Sequence, residues 1–407
     1  MKQFEVPNGY RSRLITAIKQ KRKADDKLKK DFTPTLLDLG TVQFYLARHL
    51  GFCYGVENAI DIAYKTIEEN KGKRIYLLSE MIHNPQVNAD LIQKGVKFLH
   101  DTNGNAMIPL EELTADDVVM IPAFGTTLEL EEKIIQKGID IQKYNTTCPF
   151  VEKVWNRSEQ IAKKGYSIII HGKPKHEETR ATFSHAAANT PSIVVNDMEE
   201  AKILGAFILG KIDLASFELQ FKGRYSKHFN PTKDLDKIGV VNQTTQLATD
   251  TQAISDYLKS VIIEKFGSEN IKEHFADTRD TLCYATNDNQ SAVIGLLETS
   301  ADLAIVMGGK NSSNSSHLVE LCEQKLPTYF IDDASKVISK DQIQKTDWKN
   351  KESVIVSDYL PKKENISILM TSGASCPDAV VEAVIHKITS YYGVEDMLKE
   401  MEAIWSN

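Results

Sequence analysis

From about residue 40 onward the chain alternates short apolar runs with longer segments in which apolar residues recur every three or four positions. The runs RIYLLSE, DVVMIPAFG, SIIIHG, KIGVVN, LAIVMGG, PTYFIDD and ISILMTSGAS each have a strand's length, and most end in Gly, Ser or Asn. Continuously apolar strands are covered on both faces, which predicts an α/β fold of parallel sheets flanked by helices. Three helices begin in the same way. After Cys53, the positions Val56, Ile60, Ala63 and Ile67 form one apolar helical face. After Cys148, Pro149 suits a first helical turn and Val151, Val154 and Ile161 continue the helix to Gly165. After Cys283, Ala292, Val293, Leu296 and Leu297 do likewise. Three equivalent corners predict three α/β lobes, although no internal sequence repeat marks them.

The pattern divides the chain into a basic N-terminal extension over 1–45, lobes over 46–148, 149–282 and 283–390, and a C-terminal tail over 391–407. Residues 1–31 carry ten Lys/Arg against four Asp/Glu. Leu14, Ile15 and Ile18 share a stripe while Lys19 to Lys30 turn to water, which favours a solvated amphipathic helix over a partner-binding arm. Glu5, Asp25, Asp26 and Asp31, with little serine, argue against an organellar transit peptide.

The formal charge of −7 over 407 residues argues against general nucleic-acid binding. No apolar run reaches membrane-spanning length and no secretory signal opens the chain, so a cytoplasmic protein without membrane attachment is expected. Its 42% hydrophobic content can bury a large core in two or three domains. Five cysteines, an odd number, read as thiols, metal ligands or catalytic groups rather than a disulfide framework.

Cys53, Cys148 and Cys283 are separated by 95 and 135 residues, far from the compact spacing of small ferredoxins or zinc ribbons. Each stands at a helix start, where the dipole favours the thiolate that a metal needs. Three thiolates on one iron–sulfur cluster would leave an iron open to substrate. Simple packing as small hydrophobes is the competing reading.

Anion-binding turns are the second signal. VMGGKNSSNSSHLVEL runs from a strand through Ser312, Ser313 and Asn314 into a helix, a setting for phosphate; VVNQTTQLA, with Gln243, Thr244 and Thr245, and MTSGASCPD, with Ser375, offer the same chemistry. Taken singly, each is an ordinary helix cap. The spacing of a nucleotide-binding P-loop or dinucleotide fingerprint is absent. In HGKPKHEETRAT, His176 precedes Glu178 by two residues, and a carboxylic acid near a metal-bound hydroxyl can deliver the proton that makes water the leaving group. A solvated run of charges is the plainer reading there, as a capping role is for His83 in SEMIHNPQVN.

In order, GFCYGVENAI, IHNPQVN, NTTCPFVEKVW, HGKPKHEET, NQTTQL, CYATNDNQ, GGKNSSNSS and TSGASCPD resemble the motifs of the 4-hydroxy-3-methylbut-2-enyl diphosphate reductase family, over about residues 40 to 390. The resemblance implies three α/β lobes with parallel sheets in a trefoil around a central [4Fe–4S] cluster with three Cys ligands and one open iron. It further implies a two-electron reductive dehydroxylation giving isopentenyl and dimethylallyl diphosphate, the last step of the non-mevalonate isoprenoid pathway. The resemblance also implies an external electron donor such as ferredoxin or flavodoxin, and no flavin or nicotinamide site is evident in the sequence. Carried over, Cys53, Cys148 and Cys283 resemble the cluster ligands and Glu178 the proton-relay acid. His83, His176, Gln243, Thr244, Thr245, Ser312, Ser313, Asn314 and Ser375 resemble the groups around the diphosphate and hydroxyl; Cys322 and Cys376 match no ligand position and are assigned to packing. Two departures stand out. Phe124 occupies a turn where the short bacterial branch has a diphosphate-contacting histidine, as in the longer plant and cyanobacterial branch, and Glu177 replaces a proline beside Glu178. A hydro-lyase using the same open iron and a non-catalytic phosphate-ligand sensor are the rival readings.

Overall fold

A computed structural model describes residues 4–276, 278 and 281–406. The strands, in chain order, are β1 (Thr35–Asp38), β2 (Val42–Leu46), β3 (Ile75–Leu77), β4 (Val96–Phe98), β5 (Val118–Met120), β6 (Ser167–His171), β7 (Ser192–Val195), β8 (Ile238–Asn242), β9 (Leu303–Met307), β10 (Thr328–Ile331), β11 (Gln342–Thr346), β12 (Ser353–Ser357) and β13 (Ile366–Ser372). All seven of the apolar runs contribute a strand. The chain divides into two compact units: one joins the residues up to Glu57, Ile82–Ala89 and the chain from Tyr284 onward, the other joins Asn58–Met81 and Asp90–Cys283.

The second unit holds two parallel three-stranded sheets, ordered β4-β3-β5 and β7-β6-β8. Every residue of β6 is buried, because side chains alternate between two cores. Ile169 packs with Ile193, Val240, Phe217 and Leu258, whereas Ile168 and Ile170 pack with Val154, Ile161 and Val241. The first sheet has its own core of Tyr76, Leu78, Val119, Ile121 and Ile134.

The first unit is built on a five-stranded sheet, β1-β2-β13-β9-β10, in which only the β1–β2 pair is antiparallel. The same alternation separates Ile305, Met307, Ile368 and Met370 from Ala304, Val306 and Leu369, which face another core with Cys322 and Phe330. Cys322 and Cys376 are fully buried in these cores, as expected of packing residues.

The 45/46 boundary falls inside β2, and β1 and β2 complete the sheet of the C-terminal lobe instead of standing apart. The helix Arg13–Asp25, capped by Ser12 Oγ on the Ile15 N–H at 2.9 Å, lays Leu14, Ile15 and Ile18 into the same core as Val384, Ile385 and Leu398. Leu398 belongs to the C-terminal helix Glu395–Ser406, so the tail is packed as well. The basic residues are only partly solvated: Lys19 Nζ pairs with Asp378 at 2.6 Å, and Arg22 with Asp31 at 3.0 Å. Local periodicity identifies an amphipathic helix but carries no information about which distant face receives it.

Candidate active site

Each unit assembles its own group of the expected site residues. In the second unit these are Cys148, Cys283, Glu178, His176, Gln243, Thr244 and Thr245; in the first, Cys53, His83, Ser312, Ser313, Asn314 and Ser375.

Cys148 is the N-cap of the helix Pro149–Ala162, with Pro149 in the first turn. Its N–H donates to the Ala123 carbonyl at 3.0 Å, tying it to the turn that follows β5. That turn requires Gly125, which sits at φ +75° with the Trp155 ring where a Cβ would go, 2.4 Å away. The helix start lowers the thiol's pKa through its N–H groups, but burial outweighs it. Burial pushes it up to about 12, the nearby Cys283 and Glu178 add to the rise, and the backbone N–H groups of Phe150 and Val151 pull only partly the other way. A half-buried thiol beside a second cysteine and a carboxylate, already receiving N–H donors, fits a metal-cluster ligand, since a coordinated cation is what deprotonates a thiol in such a place.

Glu178 is 2% exposed. Its carboxylate accepts the backbone N–H and, at 3.0 Å, the hydroxyl of Thr244, and the Thr244 carbonyl accepts the Cys283 N–H at 3.2 Å. One residue therefore holds both the candidate acid and a candidate ligand. Gln243 is fully buried; its Oε1 accepts from the Lys173 N–H, the Thr179 hydroxyl and Gln246 Nε2 at 3.0–3.1 Å, and its Nε2 donates to Thr245 Oγ1 at 2.8 Å. It braces the loop after β6 against the helix Glu177–Ala187.

His176 is the N-cap of that helix, and its Nδ1 accepts the Glu178 N–H at 3.2 Å. Glu177 thus occupies the first helical position, where proline and acidic residues are both favoured, the acid by the dipole. The replacement of proline leaves the helical start of Glu178 intact. Phe124 meets the His176 ring edge-on, centroids 5.8 Å apart at 84°. An apolar contact here takes the place of a polar donor.

In the first unit, Cys53 is held by its N–H on the Ala374 carbonyl at 3.1 Å, and Gly51, at φ +76°, donates its N–H to Ser372 Oγ at 2.8 Å. The turn after β13 therefore shapes the Cys53 loop. Ser375 Oγ donates to the His83 carbonyl at 3.3 Å, and Ala374 N–H to Asn314 Oδ1 at 2.9 Å. Ser312 caps the helix Ser313–Glu323 through the Ser315 N–H at 3.2 Å. Among the described residues, Ser313 Oγ and Asn314 Nδ2 are buried without a hydrogen-bond partner at the start of this helix. Orphaned donors at a helix N-terminus suit an anion. Sequence reading passed over Asn289, whose Nδ2 donates to Asn314 Oδ1 at 3.3 Å. The signal was the polar run Asn287, Asp288, Asn289 in the helix after Cys283.

Residues 44–389 match the family model of the LytB protein. The 4-hydroxy-3-methylbut-2-enyl diphosphate reductase of Picosynechococcus sp. is 40% identical over 86% of this chain and 85% of its own length. The enzyme of the same name from Microcystis aeruginosa is 37% identical over 95% and 91%. The E-1-hydroxy-2-methyl-but-2-enyl-4-diphosphate reductase structure from Plasmodium falciparum, 22% identical, shares the fold with a TM-score of 0.61 over 85% of this chain and 87% of that one. With a family model spanning most of its length and two relatives so similar, the chain belongs to the LytB family.

Proposed function

We propose that this protein reduces 4-hydroxy-3-methylbut-2-enyl diphosphate to isopentenyl and dimethylallyl diphosphate, with Cys53, Cys148 and Cys283 holding a [4Fe–4S] cluster. The family membership supports the reaction, and the observation that carries the site is Thr244 holding Glu178 while bonded to Cys283. In the reaction the C–OH bond breaks and a C–H bond forms, two electrons and two protons are taken up, and the hydroxyl leaves as water. When bound, the cluster supplies Lewis acidity at its open iron and passes on the electrons of an external donor such as ferredoxin or flavodoxin.

The chain's own residues bind and deliver protons. Ser313 Oγ and Asn314 Nδ2, with the helix start behind them, take the diphosphate, joined by Ser312, Ser375, His83 and His176. Neutral donors fix an anion without drawing the reacting carbon away from its place. Glu178 supplies a proton to the leaving oxygen; Thr244 keeps both carboxylate oxygens in place, and Gln243 and Thr245 brace the strand end on which Thr244 sits. The apolar Phe124 packs against the His176 ring. Among the described residues no helix is long and apolar enough to cross a membrane.

The test is anaerobic purification with iron and sulfide analysis, EPR, and turnover with reduced methyl viologen. Cluster loss in each of Cys53→Ser, Cys148→Ser and Cys283→Ser, but not in Cys322→Ser, supports the ligand set. Turnover of the diphosphate without any reductant would replace the reductase by a hydro-lyase, and a stable, colourless protein after reconstitution would leave a ligand sensor.

A further inference from the structure

Apart from the groups above, the first unit contains a cavity of about 220 Å³ with a cationic wall. Lys23, Lys29, Arg48, His49 and Asp288 line it, and the Cys53 loop closes one side. Arg48 is 7% exposed, and one of its terminal nitrogens donates to the Arg22 carbonyl at 3.0 Å. Among the described residues its Nε, and Nε2 of His49, are buried without a hydrogen-bond partner.

The neighbouring carboxylates are engaged elsewhere. Asp288 pairs with Lys29 at 2.7 Å, Asp378 with Lys19 at 2.6 Å and Asp31 with Arg22 at 3.0 Å. Burial pushes the Arg48 guanidinium below its ordinary pKa and Arg22 adds to this; Asp26, Asp31 and Asp288 oppose the shift without cancelling it. A buried cation with an unused N–H and no carboxylate of its own is costly, and such a group is commonly completed by a ligand.

We propose that this cavity is a binding site for a phosphate-class oxyanion, received by the guanidinium of Arg48 and drawn in by Lys23 and Lys29 at its mouth. Guanidinium N–H donors match tetrahedral oxyanions, and both lysines are exposed, so they can capture the anion from solution. The volume suits inorganic phosphate or diphosphate, being below the usual range of pockets for larger organic ligands. The site is distinct from the Ser313–Asn314 turn and does not depend on the reductase reading. Its wall includes Asn289, which bonds Asn314, so an occupant would touch the support of that turn.

Isothermal titration of the full chain with inorganic diphosphate and with phosphate tests this. Wild type is expected to bind, more weakly as salt rises. The double variant Lys23→Ala/Lys29→Ala, and separately Arg48→Met, should weaken binding at least about tenfold, the worth of one charge-assisted hydrogen bond, while the charge-matched control Lys163→Ala/Lys202→Ala, exposed and away from the cavity, retains it. The lysine pair is exposed and tests the idea even if Arg48→Met fails to fold. Binding by the lysine pair equal to wild type, an equal loss in the Lys163→Ala/Lys202→Ala control, or no binding to wild type at millimolar anion overturns the proposal.

Discussion

Thr244 and Glu178 are joined at both carboxylate oxygens, one receiving the Thr244 N–H and the other its hydroxyl at 3.0 Å. Because the Thr244 carbonyl also accepts the Cys283 N–H at 3.2 Å, any shift of the strand end after β8 moves the acid and the thiol together. The fully buried Gln243 beside Thr244 braces this arrangement.

Glu178→Gln keeps an acceptor for Thr244 but has no proton of the required acidity. Turnover with reduced methyl viologen should fall by roughly 10²–10⁴, the usual worth of general acid catalysis, with iron content unchanged. Near wild-type kcat in this variant would remove Glu178 from the proton path.

Thr244→Val removes the hydroxyl and keeps the backbone bonds. As a positioning residue it should cost about tenfold in kcat with little change in KM, and Thr244→Ser should restore most of the loss. A large KM effect with unchanged kcat would instead place the hydroxyl on the substrate.

Ser313→Ala deletes a buried hydroxyl that has no partner among the described residues. Thermal stability should hold or rise slightly, since an unsatisfied buried group is removed, while KM for the diphosphate rises by about tenfold. A loss of stability with unchanged KM would make this serine structural.

The His185 ring stacks on Trp155, centroids 3.7 Å apart at 10°, and burial holds its pKa below the ordinary histidine value of 6.5. Below pH 6.5 the unfolded chain takes up this proton before the folded one does. Stability from His185 is therefore complete above pH 6.5 and is lost as the pH falls toward the depressed folded value. Melting temperatures measured from pH 8 to pH 5 should slope downward less steeply in His185→Gln than in wild type. Equal slopes would show that other groups carry the acid sensitivity.

Local chemistry explains which features were legible. The buried strand runs, the helices after Cys53, Cys148 and Cys283 and the Ser312 cap all depend on residues within a few positions of one another. The pairing of β2 with β13 joins residues more than 300 positions apart, and β1, β2, β4, β7 and the exposed hairpin of β11 and β12 escaped notice because each is short, with at most a few consecutive apolar residues. The Glu177 replacement was ambiguous until the helix was seen to begin at that residue, where either side chain fits.

By itself the sequence determined the chemical inventory: the thiols at helix starts, the acid two residues after His176, the small polar turns at strand ends, and the parallel α/β class. Tertiary structure decided what each group is asked to do. It assigned the N–H and hydroxyl of Thr244 to Glu178, made His176 a helix cap, raised the Cys148 thiol against the helix dipole, and left Arg48 buried with an unused N–H. The physical reason is that propensity and periodicity act over a few residues, whereas burial and hydrogen-bond partnership depend on distant segments packed against one another.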